Sequence, residues 1–379
     1  MRLPTPSIHG RRRVRAKEVA GMTKRRSLSL GSAALLLLLS AMPAAAHDRH
    51  APDAYATHYL VSDGSVPADL VDPNLVNAWG IVHSPTSPWW VANNETATST
   101  LYNGLGAKQA LTVTVPGAPT GTVFNGGTGF AVTKNGVSGA ARFLFASEDG
   151  TISGWNPNVP AAGSTEAIVG ADRSKQHAIY KGLAIATVDG ADYLYATDFH
   201  HARVDVFDST FTRQTWHGAF KDRHLPQGYA PFGIQAINGM IFVTYAKQDR
   251  AREDEIAGRG KGFVDAFSLK GRFLGRVASR GALDAPWGVA WAPDGFGQFS
   301  GDLLVGNFGN GRVNAYRSIH GHWRFAGTLR SADHKAIEID GLWGIGFGND
   351  ANAGPSTTLF FAAGPHDEAG GAFGTITAP

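Results

Sequence analysis

Trp79-Gly80-Ile81 sets a pattern: an aromatic or polar residue, then Gly, then a β-branched residue or Leu. It returns as Lys181-Gly182-Leu183, Phe232-Gly233-Ile234, Trp287-Gly288-Val289 and Trp343-Gly344-Ile345, with a weaker copy in Thr120-Gly121-Thr122-Val123. Internal repetition of this kind decides the fold before any single motif does. A second apolar segment follows each copy and ends in a polar or small residue. These segments are Trp90-Val91-Ala92-Asn93, Phe145-Ala146-Ser147-Glu148, Tyr195-Ala196-Thr197-Asp198, Phe242-Val243-Thr244-Tyr245, Leu304-Val305-Gly306-Asn307 and Phe361-Ala362-Ala363-Gly364. A third segment alternates with the period of a strand, most clearly in Arg203–Asp208 and Arg312–Tyr316, and also in Gly150–Trp155 and Gly262–Phe267.

Each unit therefore supplies three or four strands. One such sheet cannot bury both faces, whereas six stacked radially can, and this is the β-propeller solution. The glycines suit inner strands crowded around a narrow axis, where a side chain would clash. The adjacent aromatics fill the widening gaps between blades. We therefore expect an all-β, six-bladed β-propeller over residues 57–379. Thr57-His58-Tyr59-Leu60-Val61 is placed to supply the outer strand of the last blade and close the ring.

Composition agrees. The chain has 379 residues with 48 Gly, 17% charged residues and no Cys. It is too apolar for a disordered chain and too glycine-rich for helical bundles, and its glycines follow no collagen triplet. Without Cys, thiol nucleophiles, thiolate zinc sites and cysteine-ligated iron–sulfur clusters are excluded.

Residues 1–46 read as a leader. Lys24, Arg25 and Arg26 form a basic region, Leu28–Met42 an apolar one, and Pro43-Ala44-Ala45-Ala46 a cleavage site before His47. Met22 is the expected start. The apolar run is short for a membrane span. The mature chain is expected to be secreted or periplasmic, without a transmembrane segment, and flexible over 47–56. The leader holds nine Lys/Arg and one Asp/Glu, so the whole-chain charge of +3 becomes −5 once it is removed. Nothing then points to nucleic acid.

The repeats contain Asp72–Gly80, Ser147–Ile152, Tyr229–Gln235, Val243–Gln248, Gly341–Gly344 and Ala363–Glu368. On these segments the chain resembles an uncharacterised family of exported bacterial β-propeller proteins related to NHL-repeat propellers. The resemblance covers nearly the whole mature chain and implies an NHL-like propeller with no established activity. Some members end in a sorting anchor. Here Pro379 follows no apolar tail, so surface anchoring is not expected.

In an up-and-down blade the second strand ends where the first begins. The ends of the second strands should gather at one channel mouth, the default ligand site. That ring comprises Asn93, Glu148, Asp198, Tyr245, Asn307 and Gly364. His200, Lys247, Asp249, His366 and Asp367 join it from neighbouring loops, which also hold Asn94, His201 and Glu368. The expected occupant is an unknown small molecule or an extracellular or envelope protein. Glu148, Asp198 and Asn307 offer oxygen ligands suited to a divalent cation such as Ca²⁺. That set is similar to the metal site of gluconolactonase-like propellers, which implies an alternative reading as a metal-dependent hydrolase or lactonase. The competing reading is that Asp and Asn cap tight turns.

His200, His201 and His366 could bind zinc, but a solvated loop is the first reading. His47 and His50 read as a disordered terminus. The loop Lys247–Lys261, with Asp249, Arg250, Arg252, Glu253, Asp254, Glu255 and Arg259, reads as a solvated flap, or else as a lid. Trp89, Trp90, Trp287, Trp291 and Trp343 read as blade packing rather than carbohydrate platforms. No nucleotide loop or nucleophile elbow is present, and whether the chain is an enzyme stays open at this point.

Overall fold

The computed structural model describes residues 54–378. The expected leader, His47 and His50 lie outside the described residues. Among the described residues, helical structure is limited to two 3-10 turns, Ser174–Gln176 and Gly297–Phe299. Six radial sheets form the ring, and in the first five the strands run from inner to outer in chain order.

Blade 1 is Ala78–Val82, Trp89–Asn93, Thr98–Tyr102 and Lys108–Thr114. Blade 2 is Pro119–Phe124, Phe143–Ser147, Thr151–Trp155 and Ile168–Asp172. Blades 3, 4 and 5 begin with inner strands Tyr180–Val188, Tyr229–Ile237 and Pro286–Trp291. Blade 6 contributes Leu342–Phe347, Leu359–Ala363 and Ala372–Thr377. Its outer strand comes from the other end of the chain. Ala56–Ser62 pairs antiparallel with Ala372–Thr377, as the sequence led us to expect.

Two features depart from the sequence reading. Blade 2 carries an extra hairpin, Ala131–Lys134 with Val137–Ala140. Propeller contacts also begin before residue 57, inside the segment expected to be flexible. Tyr55 is buried against Phe296 and Phe299, and its hydroxyl donates to Phe296 O at 3.0 Å.

The repeated glycine has a more specific cause than crowding alone. In every blade the ladder between the first two strands slips at the same place. Ala78 opposes Asn93 and Ile81 opposes Val91, so Trp79 and Gly80 face only Ala92. The same two-against-one count holds at Thr120-Gly121, Lys181-Gly182, Phe232-Gly233, Trp287-Gly288 and Trp343-Gly344. Each dipeptide is a β-bulge, which bends the strand and re-aims a side chain. Each bulge glycine lies against the backbone of the next inner strand. A Cβ on Gly182 would sit 2.8 Å from Phe232 O, one on Gly288 2.5 Å from Trp343 O, and one on Gly344 2.5 Å from Trp79 O. Gly80, Gly121 and Gly233 make the same kind of approach to blades 2, 3 and 5, so the contacts run once round the ring.

Aromatics then wedge the blades apart further out. Trp90 stacks on Phe143 across blades 1 and 2 at 3.9 Å, and Phe242 meets Trp323 edge-on across blades 4 and 5 at 5.9 Å. Trp89 packs on Phe360 between blades 1 and 6 and donates to Ala353 O at 2.8 Å. Gly288→Ala should therefore destabilise the protein by about 1–3 kcal/mol through backbone overpacking. Gly126→Ala, whose added carbon meets only Phe124 at 3.4 Å, should be nearly neutral. Thermal unfolding of the two variants checks this.

Candidate functional site at the upper channel mouth

The bulges turn one residue per blade toward the axis. Trp79 and Trp343 approach to 3.8 Å between ring centroids, and Trp287 lies 6.2 Å from Trp79 and 5.9 Å from Trp343. Phe232 lies 5.7 Å from Trp343. These rings plug the channel. Lys181 occupies the corresponding position in blade 3, with its Nζ 5.3 Å above the Trp79 ring. It is the only charged residue in the six positions before the repeat glycines.

Above the plug lies a second layer, and it corrects the expected ring. Strand side chains alternate between faces, so an error of one residue reverses the side on which a group appears. The residues aligned across the bulges are Asn93, Ser147, Asp198, Tyr245, Asn307 and Ala363. The axial residues are the next ones along: Asn94, Glu148, Phe199, Ala246, Phe308 and Gly364. Phe199 and Ala246 belong to the same buried cluster as Phe232, and Phe308 stacks on Trp343 at 4.0 Å. Only Glu148 and Gly364 of the expected ring face the axis.

The others serve their own blades. Asn93 donates to Thr98 and Thr100 at 3.0 Å each. Asp198 is fully buried and pairs with His201 at 2.8 Å and Arg203 at 3.0 Å. Asn307 donates to Ala282 O and Asn310. Tyr245 is buried in blade 4 near Asp265, whose carboxyl burial pushes up to about 7, against the pull of Arg276. Asp249 accepts from Glu253 N at 2.9 Å, closing its own loop. Lys247, His366 and Asp367 are exposed, and His366 contacts Ser65 O at 3.2 Å. The buried Nδ1 of His200 has no hydrogen-bond partner. Glu148, Asp198 and Asn307 thus each have separate partners. Among the described residues, no three His, Cys, Asp or Glu side chains are placed to share a metal ion.

What does converge is a charged network. Lys181, 2% exposed, donates to Glu148 and, at 3.0 Å, to Asp254, whose side chain is 72% exposed. Asn94 donates to the second oxygen of Glu148 at 2.9 Å. Asn77 joins the network to the plug: its Oδ1 accepts from Trp79 Nε1 at 2.9 Å and Trp343 Nε1 at 3.0 Å. Its Nδ2 donates to Glu368 at 2.6 Å. Glu368 arrives on a strained turn, for His366, Asp367 and Glu368 all have left-handed φ, at 61°, 51° and 68°. Non-glycine residues adopt that region at a cost, and such strain gathers at functional sites.

The loop Lys247–Lys261 is largely solvent-exposed, as expected of a flap, but it is also folded and tethered. Ile256 N donates to Lys247 O at 2.7 Å and Gly258 N to Asp284 at 2.6 Å, while Asp254 reaches Lys181. Its Glu255 carboxyl is pushed up to about 7, chiefly by burial, with Glu368 and Asp254 adding to the rise against Lys181. Burial raises Glu368 too, again opposed by Lys181. Burial is the largest single influence on Lys181 and acts downward, but Glu148, Glu255 and Asp254 outweigh it and its pKa rises. Four carboxylates thus surround one ammonium.

Of these residues, the sequence reading placed Glu148, Asn94, Asp254, Glu255 and Glu368 in the right loops, but it did not single out Lys181 or Asn77. Lys181 had a visible signal: it is a lone charge at a repeat position otherwise held by Trp, Phe or Thr.

No known family profile matches the chain. Two proteins of Acanthamoeba polyphaga mimivirus are similar over 308 residues. "Uncharacterized protein L690" is 32% identical, with 78% of this chain and 80% of that protein covered. "Uncharacterized protein R648" is 33% identical, with 78% and 74% covered. Among solved structures, the apo soluble aldose sugar dehydrogenase of Escherichia coli superposes with a TM-score of 0.50 at 10% identity, over 86% of this chain and all of that one. The virginiamycin B lyase of Staphylococcus aureus gives 0.48 at 12% identity, over 85% of this chain and 99% of that one. Likeness at that identity concerns the propeller fold alone.

Lys181→Met would leave the half-buried carboxyls of Glu148, Glu255 and Glu368 uncompensated and should cost about 1–3 kcal/mol. Asp254→Asn removes only the exposed partner and should cost below about 1 kcal/mol. Denaturant unfolding of the two variants separates the effects.

Proposed function

We propose that this chain, which belongs to the family of the mimivirus proteins L690 and R648, is an exported, NHL-like binding propeller. Its binding site is the polar upper mouth, and the group it captures is cationic: an organic amine or a basic side chain of a partner. One observation carries this reading. Glu148 and Asp254 pair with Lys181, and Glu255 and Glu368 interact with it electrostatically, so this cluster sets four carboxyl groups against one ammonium. The raised carboxyls of Glu255 and Glu368 have the same origin, since burial and neighbouring carboxylates both disfavour their ionised forms. A second cation entering beside Lys181 would lower both.

Three segments of the family resemblance, Asp72–Gly80, Ser147–Ile152 and Ala363–Glu368, supply Asn77, Glu148 and Glu368 to this mouth. The cap Lys247–Lys261 lies where it can admit or exclude a ligand, because Asp254 is its exposed link to Lys181.

Spermidine and Nα-acetyl-lysine methylamide should bind measurably by calorimetry, whereas succinate should not. Because a proton on Glu255 competes with the amine, affinity should rise as pH increases through about 7. Glu255→Gln should remove that rise, and Glu368→Gln should weaken binding. Binding of succinate in place of the amines, or of neither, would defeat the proposal. Stabilisation by Ca²⁺ alone would point instead to a metal centre.

Export has its own test. Protein recovered outside the cytoplasm should begin at His47 by mass spectrometry, and retention of residues 1–46 would contradict it.

A further inference from the structure

An open cleft of about 490 Å³ lies between blades 3 and 4, at the end of the ring opposite the upper mouth. Small-molecule sites occupy roughly 300–1,000 Å³. Its lining reaches solvent: Asp189, His217 and Lys270 are exposed, and Tyr193, Trp216 and Ala219 are half-buried. None of these residues belongs to the upper mouth.

Three short pieces build the cleft. Asp189-Gly190 is a two-residue hairpin turn with left-handed φ of 51° and 83°, set between the paired residues Val188 and Ala191. The outer strand of blade 3 is only Arg213–Gln214, so the chain leaves the sheet early and turns where Ala219 N donates to Trp216 O at 3.1 Å. The third piece is the turn of blade 4 that carries Lys270, closed by Ser268 N on Arg272 O at 2.9 Å. Phe220 N donates to Gly271 O at 2.7 Å and the Tyr195 hydroxyl to Leu269 O at 2.9 Å, which ties the pieces together. Trp216 meets Tyr193 edge-on at 5.0 Å and Tyr195 at 6.1 Å, so the indole is held in place. Lys270 Nζ lies 2.6 Å from Asp189 Oδ2 across the blade boundary. The Tyr193 hydroxyl and the Trp216 indole N–H make no hydrogen bond with any described residue.

We propose that this cleft is a second binding site, for a neutral, polyhydroxylated sugar ring. Of Asp, Glu, Lys and Arg, only Asp189 and Lys270 line it, and they pair. A phosphate therefore meets a carboxylate, and an amine meets an ammonium. A purely apolar body strips water from that pair and from two free donors without replacing it. A sugar ring matches both kinds of surface. Its C–H face covers the indole and removes apolar area from water. Its adjacent hydroxyls donate to Asp189 and accept from Lys270, Tyr193 and Trp216, and bonds to the two charged groups are the stronger ones. An exposed ion pair is worth little by itself, so a ligand that inserts its hydroxyls there gives up little.

The test uses the purified protein with methyl β-glucoside, methyl β-galactoside and methyl α-mannoside, and with cyclohexanol and inorganic phosphate as controls. At least one glycoside should bind saturably by calorimetry, with a Kd below about 5 mM, and neither control should bind as tightly. The indole N–H signal that is missing from the NMR spectrum of Trp216→Phe should shift during the titration. Trp216→Ala should weaken glycoside binding about tenfold through loss of the aromatic surface. Lys270→Met and Asp189→Asn alter exposed side chains and should fold normally. Each should weaken the glycoside about fivefold, as for loss of one charge-assisted hydrogen bond, while spermidine binding at the upper mouth stays unchanged. A trisaccharide of the same ring that binds more tightly marks a glycan chain as the source, and equal affinity marks the free sugar. Absence of saturable glycoside binding, either control bound as tightly as every glycoside, or glycoside affinity unchanged in both Trp216→Ala and Lys270→Met would overturn the inference.

Discussion

Six close backbone approaches hold the architecture together. At each bulge a glycine lets one inner strand rest on the backbone of the next, and the sixth approach, Gly344 onto Trp79 O, returns to the first blade. This contact sets the radius of the ring. A side chain there would push two blades apart, and the other four blades of the closed ring would resist. The bulge performs a second task at the same residue pair. By placing two residues opposite one, it turns the preceding side chain into the axis. Channel closure and presentation of Trp79, Lys181, Trp287 and Trp343 are therefore one geometric event repeated round the ring.

The axial residues then divide by chemistry. From blade 3 to blade 6 the axis is aromatic, with Phe199, Phe232, Phe308 and Trp343 in mutual contact. From blade 6 through blade 1 to blade 3 it is polar, with Glu368, Asn77, Asn94, Glu148 and Lys181 linked in sequence. Asn77 belongs to both halves, since one amide receives the indole protons and passes its own to a carboxylate. That arrangement keeps a charged cluster beside an apolar plug without stranding a donor, which a buried site demands.

The fold was readable because its determinants are periodic. Six copies of one pattern leave little freedom, and the closing strand at Ala56–Ser62 followed from counting strands. The site was only half readable, for two physical reasons. Strand parity cannot be fixed until the bulge is located, so Asn93 and Asn307 were placed on the axis when Asn94 and Phe308 occupy it. The second reason is length of reach: the partners of Lys181 lie on Glu148 and Asp254, in different blades. Such a meeting depends on three-dimensional closure rather than on local pattern. The loop Lys247–Lys261 is exposed, as its charge density suggested, but nothing local reveals that its Asp254 reaches a buried cation.

The closure of blade 6 joins the earliest and latest parts of the propeller, Ala56–Ser62 and Ala372–Thr377. A ribosome delivers the first strand long before its partner exists. Until the end of the chain arrives, Ala56–Ser62 lacks its antiparallel partner and blade 6 stays open. The completed ring therefore acts as a length check. A chain shortened at either end can form individual blades yet lacks the strand that latches them, and its open edges mark it as unfinished.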